Sequence, residues 1–290
     1  MRIPESELVI NGDGTVFHLH MRPEQLADNV ILVGDRARVD VFRPYFDTVE
    51  SETSSREFVS VTGVCRGRRF TVLSTGIGMG SIDIVMNELD ILANIDLDAR
   101  EPRDEHRTLR ILRVGTSGAI QPDIPIGGYV FSEYSIGMDG ILNWYAGRSK
   151  VVDEEASRAL AAHAHITGDI VNPYVVKASG KLASLFVDKA FMGMTVSAPG
   201  FYGPQGRSVR LPLALGSMVE DFESFSYRGR RILNFEMESS VIAGLGRQLG
   251  HEAGTICMIL ANRYRKSMNT DYKSMMDGFV SMVMDTLTGE

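Results

Sequence analysis

The stretch from Leu109 to Ile120 (Leu-Arg-Ile-Leu-Arg-Val-Gly-Thr-Ser-Gly-Ala-Ile) drives an apolar strand directly into a turn of glycines and hydroxyls. Leu109, Ile111, Leu112 and Val114 form the short apolar run of a strand buried on both faces of a parallel sheet. Arg113 breaks that run one residue before its end. A guanidinium at the carboxyl end of a central strand is costly unless an anion meets it. The backbone of Gly115-Thr116-Ser117-Gly118 can approach the same anion closely, and ligands of open α/β sheets bind at this end of the strands. The alternative is an arginine that pairs with a buried carboxylate and does nothing more.

Other segments repeat this design. Val30 to Val33 is a buried-type strand that leads into Gly34-Asp35-Arg36-Ala37-Arg38, an anion nest with Arg38 one turn into a helix. Phe70 to Ser74 runs into Thr75-Gly76-Ile77-Gly78-Met79-Gly80-Ser81, and a helix follows from Ser81 to Asn94. This loop resembles a dinucleotide fingerprint, but Ser81 stands where the third glycine is required. Ile232 to Phe235 leads into Glu236-Met237-Glu238, whose carboxylates suit vicinal hydroxyls or the amino terminus of the next helix. Ala198 to Arg207 combines a glycine and proline frame with Phe201, Tyr202, Gln205 and Arg207. Such a loop can stack on a flat heterocycle and pair with its edge, or it can simply pack.

The remaining strands are expected at Gly127 to Glu133, Pro173 to Lys177, Met194 to Ser197 and Thr255 to Ala261. A hairpin is expected through Arg66-Gly67-Arg68, and helices over 153 to 165, Lys181 to Lys189 and Tyr272 to Leu287. Residues 96 to 108 read as an exposed charged insertion. Neither linker nor repeat divides the chain, so residues 1 to 290 are read as one three-layer α/β/α domain around a central mixed sheet. The hydrophobic content of 44% is ample for such a core. No run approaches the ~20 apolar residues of a membrane span, and the polar start lacks the apolar region of a signal peptide. Cys65 and Cys257 read as reduced core residues, which suits the cytoplasm. A net charge of -7 argues against a nucleic-acid surface but not against a local phosphate site. His18 and His20 lack further ligands at metal spacing, and zinc is set aside.

Glycine nests, arginines, a heterocycle loop and a Glu-Met-Glu pair suit a phosphate, a base and a sugar. With the blocks Phe17-His18-Leu19, Val33-Gly34-Asp35, Arg56-Glu57-Phe58, Ser74 to Gly78, Arg113 to Pro122, Asn234 to Ser239 and Asn262-Arg263, the chain resembles the nucleoside phosphorylases over most of its length. The resemblance implies that Gly34, Arg38, Arg113 and Thr116 bind phosphate, joined by Arg56 of a neighbouring subunit. It implies that Glu236, Met237 and Glu238 meet the ribose, with His18 reaching over from the partner chain. Phe201, Gln205 and Arg207 then hold the base and Arg263 supports its far edge. Glu57, Ile77 and Ser81 match positions that hold a monovalent cation, often potassium, in some members.

The implied reaction is phosphorolysis of a pyrimidine nucleoside, uridine, in nucleoside salvage, with inorganic phosphate as co-substrate and no organic cofactor. The partners are small molecules and further copies of the chain, as a dimer with shared sites and a hexamer as usual in the family. Arg113, Glu238, Arg207 and Gln205 carry the catalysis. Purine-cleaving relatives place an aspartate after the last strand, and this chain has Asn262. A purine phosphorylase, a hydrolytic nucleosidase and a silent nucleoside-binding protein of the same fold are the rivals. Three features depart from the family: Arg36 in place of proline, the insertion at 96 to 108, and Gly203-Pro204 in place of the usual Pro-Gly.

Overall fold

The computed structural model describes residues 2–289. In chain order its strands and helices are β1 (Asn29–Val33), α1 (Ala37–Phe42), β2 (Thr48–Ser55), β3 (Phe58–Cys65), β4 (Arg68–Ser74), α2 (Met79–Asn94), β5 (Ile95–Asp96), β6 (Glu101–Pro102) and β7 (Arg110–Ala119). There follow β8 (Tyr129–Gly137), α3 (Glu154–His163), β9 (Tyr174–Lys177), α4 (Gly180–Ser184), β10 (Phe191–Ser197), α5 (Met218–Ser224), β11 (Ser226–Tyr227) and β12 (Arg230–Glu236). The chain closes with α6 (Ser239–Gln248), β13 (Glu252–Asn262), β14 (Ser267–Met268) and α7 (Lys273–Thr288).

Apart from a separate β5–β6 ribbon, the strands join in one mixed sheet of order β11-β12-β10-β8-β13-β7-β1-β4-β3-β2, with β9 added beside β8 and β14 beside β13. Period-two alternation sends the side chains of β1 to opposite faces. Val30 and Leu32 pack with Val85 and Leu89 of α2 and Val241 and Leu245 of α6. Ile31 and Val33 pack with Phe42 of α1 and Phe279 and Val283 of α7. A central mixed sheet between helical layers results, the fold expected from the alternation of strands and helices.

One feature of the sheet has no signature in the sequence. β12 pairs in parallel with β10 and also antiparallel with β7, through Asn234 opposite Ala119 and Phe235 opposite Gly118. The sheet therefore curls shut at this end. A buried ladder of hydroxyls and an amide crosses the closed strands: Ser132 to Thr195 at 2.7 Å, Thr195 to Asn234 at 2.7 Å, and Asn234 to Ser117 at 2.8 Å. Each polar group is thereby satisfied in a dry interior.

Three local expectations change. The helix expected over Lys181 to Lys189 stops at Ser184, and α5 and β11 arise in a stretch for which no element was expected. The charged insertion is more than a solvated loop. It forms the β5–β6 ribbon, and buried Arg100 donates from Nε to the carbonyl of Ile3 at 3.1 Å and from Nη2 to that of Leu8. Arg107 ties the same segment to Asp28 and to the Leu26 carbonyl. The insertion thus straps the amino-terminal segment to the carboxyl end of α2.

Candidate active site

Six strand ends open onto one cavity of about 880 Å3, between the curled and open parts of the sheet. Gly34, Arg36 and Arg38 enter it from β1; Gly76 and Ile77 from β4; Arg113, Thr116, Ser117 and Gly118 from β7. Phe201, Gln205 and Arg207 enter after β10, Phe235 to Glu238 at the end of β12, and Leu260 and Ala261 from β13. The structure therefore brings together Gly34, Arg38, Arg113, Thr116, Glu236, Met237, Glu238, Phe201, Gln205 and Arg207. Met268 and the half-buried Tyr272 line the cavity as well, and nothing in the sequence singles them out.

At its centre Arg113 donates from Nη2 to Glu238 Oε2, and its Nη1 lies 3.3 Å from Glu236 Oε2. All three residues are buried. Burial opposes the charge of Arg113, but the carboxylates of Glu238 and Glu236 overcome this and hold its pKa above the ordinary arginine value. Burial pushes the Glu238 carboxyl up, and the Arg113 charge resists it. The thiol of Cys257 packs against Arg113 Nη1 at 3.6 Å, and burial raises its pKa to about 12. It is therefore a neutral thiol packed behind Arg113. No sequence signal pointed to this contact.

The two carboxylates divide their work. Glu236 accepts from the backbone N–H groups of Glu238 and Ser239 at 2.9 and 3.0 Å, and from the Ser239 hydroxyl at 2.6 Å. It closes the amino terminus of α6, so the capping reading holds for Glu236. Glu238 accepts from the Gly78 N–H at 2.7 Å. Gly78, at φ 96°, turns its amide toward that carboxylate, so this glycine loop serves Glu238 and not a dinucleotide. Where the β1 and β7 ends meet, Arg38 Nη2 donates to Thr116 Oγ1 at 3.1 Å.

The loop after β10 folds as a short 3-10 helix, Gly203–Gln205, which turns Gln205 inward to 3% exposure. Gly206 ends it at φ 68°, where an added Cβ would lie 2.5 Å from the side chain of Val219. The inverted Gly203-Pro204 order therefore leaves Gln205 pointing into the cavity. Arg207 lies over the Phe201 ring, 3.7 Å from its centroid, and donates to Gln205 Oε1 at 2.6 Å. That bond directs the Gln205 amide N–H2 away from Arg207. Burial first, and then the charge of Arg263, lowers the Arg207 pKa to about 10.

Several residues stand outside the cavity. Arg263 does not reach a base directly; it donates to the carbonyls of Gln205 and Gly206 at 2.9 and 3.1 Å and braces the loop from behind. Asn262 is turned inward, donating to the Gln121 and Ile124 carbonyls at 2.9 and 2.8 Å and accepting from the Arg265 N–H. His18 is held by Glu88 at 2.6 Å, and Arg56 is exposed with its guanidinium 5.8 Å from the Phe17 ring. Glu57 and Ser81 lie beside Gly76 without lining the cavity, whereas Ile77 does border it and is 77% exposed. A second, largely apolar cavity of about 770 Å3 lies beyond Arg207, walled by Met138, Leu213 and Met218, and holds none of the phosphate-side groups.

Arginines and a hydroxyl beside a buried carboxylate pair and an amide-bearing aromatic loop define a site for an oxyanion, a polyol and a planar base. The phosphorylase superfamily model matches residues 28–281, and the chain belongs to that superfamily. It is a pentosyltransferase enzyme. Among its relatives, the uridine phosphorylase of Haemophilus influenzae is 29% identical over 259 residues, covering 87% of this chain and 88% of the relative. That of Thermococcus kodakarensis is 29% identical over 256 residues, covering 87% and 79%. A Trypanosoma brucei nucleoside phosphorylase, described as showing uridine phosphorylase activity, superposes with a TM-score of 0.89 at 28% identity, covering 98% of this chain and all of that one.

Proposed function

We propose that the enzyme catalyses reversible phosphorolysis of uridine to uracil and ribose 1-phosphate, with deoxyuridine and thymidine as further candidate substrates. The carrying observation is the convergence of Arg38, Arg113 and Thr116 with Glu238, Gln205 and Arg207 on one cavity. Phosphate, the co-substrate, would lie among Gly34, Arg38, Arg113 and Thr116. Arginine forks orient such a dianion beneath the anomeric carbon, which suits an oxocarbenium-like transition state. Glu238 accepts from the ribose hydroxyls beside Met237, while Glu236 keeps Glu238 in place by capping α6.

The Gln205 amide offers its N–H2 to a uracil carbonyl and a lone pair of Oε1 to the N3–H, with Phe201 on the ring face. Arg207, cationic at neutral pH, stabilises the charge that develops on the departing base. One preorganised donor of this kind is typically worth ~2.7–4 kcal/mol. The inward turn of Asn262 leaves no side chain at that position to protonate a purine N7, which favours the pyrimidine reading.

His18 and Arg56 are not among the residues lining their own cavity, and we assign them to the site of a neighbouring protomer in a dimer, itself part of a hexamer. A potassium ion would sit among Glu57, Ile77 and Ser81 at that boundary. Residues 1–290 act as one domain, in cytoplasmic pyrimidine salvage. Release of uracil from uridine should require phosphate, and inosine should be a poor substrate. Undiminished release without phosphate would replace this reading with a hydrolase, and absence of turnover on uridine, thymidine and inosine alike would leave a binding protein.

A further inference from the structure

Arg36 stands in the loop that leads from β1 into the cavity and borders it, while its guanidinium reaches across to another element. Nη1 donates to the carbonyl of Arg56 at 2.5 Å and Nη2 to the Ser54 hydroxyl at 3.0 Å. Both acceptors belong to the hairpin of β2 and β3, in which Ser55 pairs with Phe58 and the connection is only Arg56 and Glu57. Arg56 holds φ at 53°, a left-handed conformation that costs a non-glycine residue free energy. The turn persists because something outside it fixes the backbone. Arg36 supplies a charged donor at the carbonyl of the strained residue itself. From that backbone the Arg56 side chain leaves the turn toward the Phe17 ring, 5.8 Å from its guanidinium.

The backbone of Arg36 shows what the arginine is for. Its φ of -53° and ψ of -42° lie within reach of a proline ring. The loop conformation therefore does not require an arginine, and only the guanidinium adds something. Both of its terminal nitrogens are engaged with the hairpin.

We propose that Arg36 is a positioning residue for Arg56: it ties the phosphate loop of one protomer to the turn that this protomer lends to its neighbour. The inference rests on the assignment of Arg56 to the neighbouring phosphate site made above. A protomer's own β1 loop then sets the geometry of an arginine that serves a different cavity, and loss of the tie is felt as weakened phosphate binding and not as slower chemistry.

Phosphate saturation at fixed saturating uridine tests this with Arg36→Pro, Arg36→Lys, Arg56→Ala and the Arg36→Pro/Arg56→Ala double variant, each checked for an unchanged melting profile. Arg56→Ala should raise the phosphate KM by about tenfold or more, the loss of a charged hydrogen-bond donor. Arg36→Pro keeps the backbone and should raise it by roughly threefold to tenfold, because its bonds are exposed, with little change in kcat or uridine KM. Arg36→Lys should recover part of the loss, and the double variant should be no worse than Arg56→Ala alone. An unchanged phosphate KM in Arg36→Pro, or full additivity in the double variant, overturns the positioning role, since additivity means that Arg36 acts by its own charge. Ordinary phosphate binding in Arg56→Ala instead removes the assignment of Arg56, and the tie with it.

Discussion

Arg113 carries two obligations that pull a substitution in different directions. On the proposed function it faces phosphate in the cavity; in the core it pairs with Glu236 and Glu238, which are both buried. Removal of one partner from a buried ion pair is strongly destabilising, about 3–5 kcal/mol, because the remaining charge has no compensation. Arg113→Ala should therefore lower kcat/KM by ~10²–10³ or more and also lower the urea midpoint. Arg113→Lys keeps the charge but loses the planar fork, so most stability should return while activity stays low. Ordinary turnover by Arg113→Ala would make the residue purely structural. Asp139 gives a pH signature. It accepts from Tyr174 Oη at 2.8 Å, Ser240 Oγ at 3.2 Å and the Ile141 N–H at 2.8 Å, and burial raises its pKa above the ordinary aspartate value. The folded state thus holds this proton more tightly than the unfolded state does. The associated stability is fully present below the unfolded pKa of about 3.9 and is lost as pH rises through the folded value. Asp139→Asn abolishes this titration, so the melting temperature of the variant relative to the parent should rise from pH 4 to pH 7. A difference independent of pH would show that Asp139 does not titrate in that range.

Among the elements, the loop from Gly203 to Arg207 is the one that the proposed function makes responsible for specificity. Gly206 has a positive φ and no room for a Cβ, so its backbone conformation and its packing against Val219 of α5 are specified together. Gly206→Ala should shift the 3-10 turn, withdraw Gln205 from the base and spare the phosphate side. The expected result is a higher uridine KM and a lower kcat with a nearly unchanged phosphate KM. Parallel losses for both substrates would mean that the loop supports the whole cavity. The substitution strains a surface loop and should cost no more than about 1–3 kcal/mol of stability.

For the molecule as a whole, the cavity of one chain lacks His18 and Arg56, although both belong to the residue set that the family resemblance assigns to a site. If neighbours supply them, activity must follow association. Specific activity should fall on dilution in parallel with the dimer fraction measured by sedimentation, and an excess of phosphate and uridine should restore it by mass action. Full activity in a population shown to be monomeric would refute shared sites. Assembly is also the level at which the Arg36 tie acts, since the loop and the arginine it positions would serve different cavities.

The alternation of buried strands with amphipathic helices was legible along the chain, because periods of 2 and 3.6 are written in local order. So was the chemistry at strand ends, where Arg38, Arg113, Glu238 and Gln205 stand in positions that suit no dry core. Local order could not show that β12 pairs with β7 and curls the sheet shut, since pairing between distant strands leaves no periodic trace. Nor could it divide the labour of Glu236 and Glu238, or show that Arg263 braces a loop, that Asn262 turns inward and that Arg36 grips a hairpin. Residue type states what a side chain is able to bond; only the tertiary fold decides which partner lies within about 3 Å of it.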